Sequence, residues 1–160
     1  MTGADERVKR VALPDRIADD FAPDYGDCFR TVSPVHVDAR HWASESLRGA
    51  EGGGGVFSRI VWHGLLGFEL APSGSPGTLV GWSVRVDTSR RFELEANGAL
   101  MAGRMVFLVG DGEATWATLL RFHRSRGRVT WAAAGHVHRA LAPRCLHSAG
   151  QALTRTSGTT

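Results

Sequence analysis

Residues 79–123 read LVGWSVRVDTSRRFELEANGALMAGRMVFLVGDGEATWATLLRFH, and this stretch decides the fold. Trp82, Val84 and Val86 alternate with Ser83, Arg85 and Asp87, and Phe92 and Leu94 alternate with Glu93 and Glu95. That period of two belongs to strands with one buried face. Asn97-Gly98 and Asp111-Gly112 are two-residue hairpin signals. Between them, Ala99 to Val109 is apolar on both faces apart from Arg104, with Met101, Gly103, Met105, Phe107 and Val109 on one side. From Glu113 to His123, Trp116, Thr118, Leu120 and Phe122 share one face, and Thr115, Ala117, Leu119 and Arg121 the other. Four strands joined this tightly form an antiparallel meander and not a series of parallel crossover units.

After the meander come Gly127-Arg128 and one long amphipathic stretch from Val129 to about Leu153. Val129, Ala133, Val137 and Leu141 recur every four residues, with Ala140 and Cys145 beside them, so the stripe predicts a helix lying on the sheet. Pro143 is expected to kink or divide it near Arg139. Upstream, Asp24 to Pro34 carries Tyr25, Phe29 and Val32 and predicts a first strand. Asp38 can cap a helix through Trp42 and Leu47, which Gly52 to Gly55 must end. Val56 to Phe68 predicts a short helix that is apolar nearly all round, and so buried on several sides, lining a cavity or joining a homodimer. Residues 1–22 are polar, interrupted by Pro14, and predict a mobile arm. The expectation is a single domain over 23–153 with a disordered tail at 154–160. The class is α+β, with a curved antiparallel sheet gripping a long C-terminal helix.

At 160 residues, 42% hydrophobic and 22% charged, the chain has the size and composition of one ordinary globular domain. No apolar run reaches the roughly 18 residues of a membrane helix. The charged N-terminus lacks the apolar core of a secretory signal, which implies a cytoplasmic location. A net charge of +3 spread along the chain is a weak basis for nucleic-acid binding. Its one local cluster, Arg121, His123, Arg124, Arg126 and Arg128, reads as a solvated rim. Cys28 and Cys145 have no metal-ligand spacing and read as free thiols.

The segment from Arg91 to Gly150 carries Arg121-Phe122-His123 at the end of a strand, then Gly127-Arg128, then His138-Arg139 in the helix. In these features residues 79–150 resemble the C-terminal half of a bacterial family of unknown function, whose members occur alone or fused behind short-chain-dehydrogenase-like domains. Gly135 stands where that family has proline, and Val137 where it has phenylalanine. The resemblance implies a helix-grip fold of the START/Bet v 1-like and polyketide-cyclase kind, and it carries over no catalytic residue. Small stand-alone cyclases of actinobacterial macrolide pathways are similar in size.

Motifs for cofactor chemistry are missing. His136 and His138 point about 200° apart on a helix and cannot share a metal. There is no nucleophile elbow, no phosphate-binding loop lysine beside Gly52 to Gly55, and no dinucleotide fingerprint, so neither a metal nor another cofactor is expected. What stands out is an excess of large soft side chains on inward faces: Trp62, Trp82, Met101, Met105, Phe107, Trp116 and Trp131. They predict a hydrophobic substrate pocket, with Gly103 opening space and with Tyr25, His63, Thr118 and Glu69 as polar points. Tyr25 and His63 are the catalytic candidates; Trp62, Trp82, Met101, Met105, Phe107, Trp116 and Thr118 are the substrate-binding ones. Such a pocket suits a cofactor-independent cyclase that folds a polyene or polyketide for intramolecular carbon–carbon bond formation of the cycloaddition type. It equally suits a non-catalytic carrier of a lipid or polyketide, and a cyclase or dehydratase using His63 or His36 as acid or base is a third reading. The expected partner is a hydrophobic small molecule, with neither nucleic acid nor membrane.

Overall fold

The computed structural model describes residues 8–18, 20–48 and 60–158. The meander is present, and it continues into a seven-stranded antiparallel open sheet. In chain order the strands are β1 (Val8–Arg10), β2 (Tyr25–Val32), β3 (Thr78–Leu79), β4 (Trp82–Asp87), β5 (Arg91–Asn97), β6 (Met101–Gly110) and β7 (Glu113–Phe122). Across the sheet they lie β1-β2-β7-β6-β5-β4-β3. The helices are α1 (Asp15–Ala18), α2 (Ala39–Leu47) and α3 (Ser125–Ser157). Architecture of this kind is α+β, and among the described residues no helix is long and apolar enough to cross a membrane.

Local chemistry explains the turns and caps. Asp111 and Gly112 both have positive φ, 53° and 73°, which lets two residues reverse the chain between β6 and β7. At the other hairpin Asn97 stays in β5 and pairs with Ala102, so the reversal falls beyond it. Gly98 permits a close approach instead of a turn. A Cβ there would lie 1.9 Å from the Gly67 carbonyl oxygen, so only glycine lets the chain bridge to Phe68. Asp38 caps α2 by accepting the His41 backbone N–H at 2.9 Å.

Three expectations are corrected. The described residues of the expected arm, 8–18 and 20–22, belong to the fold: β1 pairs with β2, and Ile17 and Phe21 are buried on the outer face of the sheet with Cys28, Val106, Ala117 and Leu119. Apolar residues on both faces of β6 were the trace of this second layer. Of the expected Val56 to Phe68 helix, only a π-helical turn at Ile60–Leu65 lies in the described residues, with Leu66 and Phe68 buried beyond it; residues 56–59 lie outside them. Finally, α3 passes undivided through Pro143 and ends at Ser157, four residues beyond Leu153.

The inward stripe of α3 is also not the expected one. Val129, Val137 and Leu141 are exposed, while Trp131, Ala134, Gly135, Ala142, Leu146, Ala149 and Leu153 are buried. Steps of four overshoot the 3.6-residue turn by about 40° each, so a strict four-residue row winds off any one face. The true stripe mixes steps of three and four and is built largely of small residues. A Cβ on Gly150 would stand 3.2 Å from the Trp42 ring, which shows how closely α3 approaches α2.

Outer-face charges tie the N-terminal segment down. Arg104, nearly buried on β6, donates to Asp20 at 2.6 Å and to Glu95 at 3.0 Å, and its guanidinium lies over the Phe21 ring. Arg85 pairs with Asp20 and with the buried Glu93, and Arg121 donates to the Phe21 carbonyl. Arg104 is the first cause that holds the Asp20 carboxyl below its ordinary range, with the Arg104 and Arg85 charges adding to it.

Candidate functional site

Between the inner face of the sheet and α3 lies a cavity of about 600 Å³. Trp82 of β4, Met105 of β6, and Trp116, Thr118 and Leu120 of β7 form its sheet wall. Trp131, Ala134, His138, Ala142 and Cys145 of α3 form the opposite wall, and the π-helical turn and the residue after it close one side with Val61, Trp62 and Leu66. Leu65, Val137 and Leu141 line it too, yet they are 50%, 52% and 44% exposed, so they mark the mouth.

Strand alternation and ring packing give this wall its shape. Trp116 is stacked on Phe107, with ring centroids 5.2 Å apart. Trp82 is held edge-on by Trp62 at 5.7 Å and in a tilted contact by Phe68 at 4.9 Å. Gly103 opens no space for a ligand: a Cβ there would meet Phe68 at 2.8 Å and Trp82 at 2.9 Å, so those two rings already fill the notch. Four lining residues, Trp82, Trp116, Trp131 and Ser46, keep a buried polar side-chain atom without a partner among the described residues.

At His138 and Thr118 the lining backs onto a polar cluster, Asp27, Tyr25 and Arg139, that lies just outside it. Asp27, on the inner face of β2 directly opposite Thr118, is almost completely buried. Tyr25 donates its hydroxyl to Asp27 Oδ2 at 2.6 Å. His138 Nε2 lies 3.2 Å from Oδ2 and 3.3 Å from Oδ1 of the same carboxylate. Arg139 Nη1 donates to the Tyr25 oxygen at 3.2 Å, and Arg139 Nη2 lies 3.3 Å from His136 Nδ1. Burial first, and then the bond to Asp27, push the Tyr25 phenol above its ordinary range, so it stays a proton donor. The His138 ring is set by Trp131 at 5.4 Å and by the edge of Trp116 at 6.1 Å, while Trp131 also packs edge-on against Tyr25 at 5.2 Å.

Of the residues expected from sequence, Trp62, Trp82, Met105, Trp116 and Thr118 line the cavity together. Met101 and Phe107 are fully buried and lie outside its lining. Tyr25 also lies outside the lining, bonded to Asp27. His63 is exposed outside the cavity, with Nδ1 2.8 Å from the Phe68 carbonyl, and Glu69 is exposed as well. Asp27, His138 and Arg139 were missed as a group. Their signals were a carboxylate between Tyr25 and Phe29 on an inward strand face, and a histidine seven residues after Trp131 on one helix face. Among the described residues no three His, Cys, Asp or Glu side chains gather as a metal cluster.

No protein-family model, curated protein or solved structure matches this chain.

Proposed function

We propose that the protein takes a hydrophobic small molecule into the cavity beneath α3 and acts on it as a cofactor-independent cyclase. The fold reading that goes with it is a helix grip of the START kind, supported by one long helix laid over the inner face of an antiparallel sheet. A single observation carries the function: the cavity of about 600 Å³ walled by Trp62, Trp82, Met105, Trp116 and Trp131. That volume falls within the roughly 300–1,000 Å³ of small-molecule sites. An apolar, shaped wall can hold a flexible polyene or polyketide so that its reacting carbons meet, and such positioning contributes about 7–11 kcal/mol in favourable cases. The indole N–H groups of the wall that have no partner among the described residues favour a ligand that brings oxygen acceptors, since a buried donor without a partner costs about 1–3 kcal/mol. A second reading, a carrier that binds without converting, draws on the same apolar wall.

Protein purified from a producing host and analysed by native mass spectrometry should carry a small-molecule adduct, which is then offered in its linear form. On the cyclase reading a ring product accumulates in EDTA and without nucleotide, and Trp82→Ala or Met105→Ala changes the product ratio. Binding of the linear molecule with no conversion leaves the carrier, and no binding at all overturns both.

A further inference from the structure

We infer that His138 is the proton acceptor of this cavity, and that its substrate class is a hydrophobic carbonyl compound with an acidic C–H beside the carbonyl. The inference rests on the cavity being a small-molecule site and adds a chemical step to it. A carrier of an apolar ligand has no use for a buried carboxylate, whose desolvation is costly unless donors surround it. At Asp27 the donors run in one direction. Arg139 donates to the Tyr25 oxygen, which commits the Tyr25 proton to Asp27 Oδ2, and the carboxylate therefore faces His138 as an acceptor. Nε2 is the His138 nitrogen that carries a proton towards it. Nδ1, with no partner among the described residues, keeps its lone pair on a ring that lines the cavity.

Asp27 and Tyr25 are positioning residues in this scheme. Asp27 fixes the tautomer and stabilises the imidazolium that forms, as a carboxylate behind a histidine does in other acid–base sites. Thr118 stands across from Asp27 on β7, lines the cavity, and has no side-chain hydrogen bond among the described residues, so its hydroxyl is free to donate to an oxyanion. In the proton-transfer step the C–H bond beside the carbonyl breaks, its proton goes to Nδ1, and its electron pair moves into the carbonyl to give an enolate oxygen beside Thr118. The enolate carbon then attacks a second carbonyl of the same folded chain, and the proton on Nδ1 passes to the new alkoxide. Nothing is oxidised or reduced, and no co-reactant is consumed.

The test uses 5-nitrobenzisoxazole, an apolar probe that fits the cavity and opens to a coloured phenolate when a base removes the proton on carbon 3 and the N–O bond breaks. Binding is read by quenching of tryptophan fluorescence, and turnover by absorbance. Wild-type protein should show saturable turnover well above the rate in buffer alone. The other ionisable groups at this site are Asp27 and Tyr25 from β2 and Arg139 and Cys145 from α3; the lining residues of β4, β6, β7, α2 and the π-helical turn carry none. His138→Gln should lower kcat about 10²-fold or more with probe binding retained. Asp27→Asn offers His138 an amide donor, shifts the proton to Nδ1, and should lower kcat at least about tenfold while leaving KM within about twofold. His147→Gln, on the same helix outside the cavity, should change nothing. Bound probe with no turnover above buffer, or with a rate unaffected by His138→Gln, overturns the inference and leaves the cavity reading standing. A probe that does not quench overturns the cavity reading and the inference with it.

Discussion

On the outer face of the sheet, Ile17, Phe21, Cys28, Val106, Ala117 and Leu119 close on one another with almost no exposure, and a lattice of arginines and carboxylates seals them. On the inner side, Trp82, Met105 and Trp116 of the sheet and Trp131 of α3 stand around a void of about 600 Å³. Ile17 and Phe21 of the N-terminal segment settle flat onto the outer face, whereas indoles border the void between α3 and strands β4, β6 and β7. The outer face is closed throughout, and the inner side combines a packed core with room for a guest.

Truncations give the sharpest contrast between the faces. Phe21→Ala removes a fully buried ring beneath Arg104 and Arg121, and should cost about 3–5 kcal/mol in urea unfolding. Trp62→Ala, at a half-buried wall position beside an existing void, should cost less than about 2 kcal/mol while weakening ligand binding. Equal losses from the two would break the comparison.

Cysteine labelling probes the same contrast with a smaller effect. Burial pushes the Cys28 thiol up to about 11, and it has no exposure. Burial raises Cys145 as well, but Cys145 lines the cavity. N-ethylmaleimide at about pH 8 should therefore modify Cys145 at least about tenfold faster than Cys28, and a bound ligand should protect it. Peptide mapping after timed quenching reads this, and labelling of Cys28 first would reverse the assignment of the two faces.

The least effect is expected from the outer-face ion pairs. Asp20 has a lowered pKa in the folded protein, so its stabilisation is complete above the ordinary carboxylate range and is lost as pH falls through the folded-state value. Asp20→Asn should lower the melting temperature slightly at about pH 7, and the two proteins should converge in acid once the pH falls below the folded-state value of Asp20. A gap that persists in acid would assign the effect to packing instead of charge.

Period-two alternation made β4 to β7 legible, and Asp111-Gly112 placed a turn where it occurs. The Asp38 cap was legible for the same reason: a local hydrogen bond needs only local sequence. Long-range placement was not. Ile17 and Phe21 are isolated apolar residues in a polar stretch, and only the two-sided burial of β6 and β7 gives them a partner surface. On α3 the buried row is mostly small residues, with His138 beside it, so the branched Val137 and Leu141 drew attention to what proves to be the mouth. Asp27 and His138 are 111 residues apart, and no spacing rule links them until the sheet sets β2 beside β7 under the helix.

Among the described residues the sheet ends in β1 with three residues on one side and in β3 with two on the other. Lys9 and Arg10 are exposed on β1, and the β4 ladder slips its register between Val84 and Val86 where Arg85 and Asp87 engage in ion pairs. Brief, charged, irregular borders offer little unpaired backbone to a strand from another molecule. Intermolecular ladder growth, the usual route from an open sheet to fibrous aggregates, is disfavoured at both borders of this one.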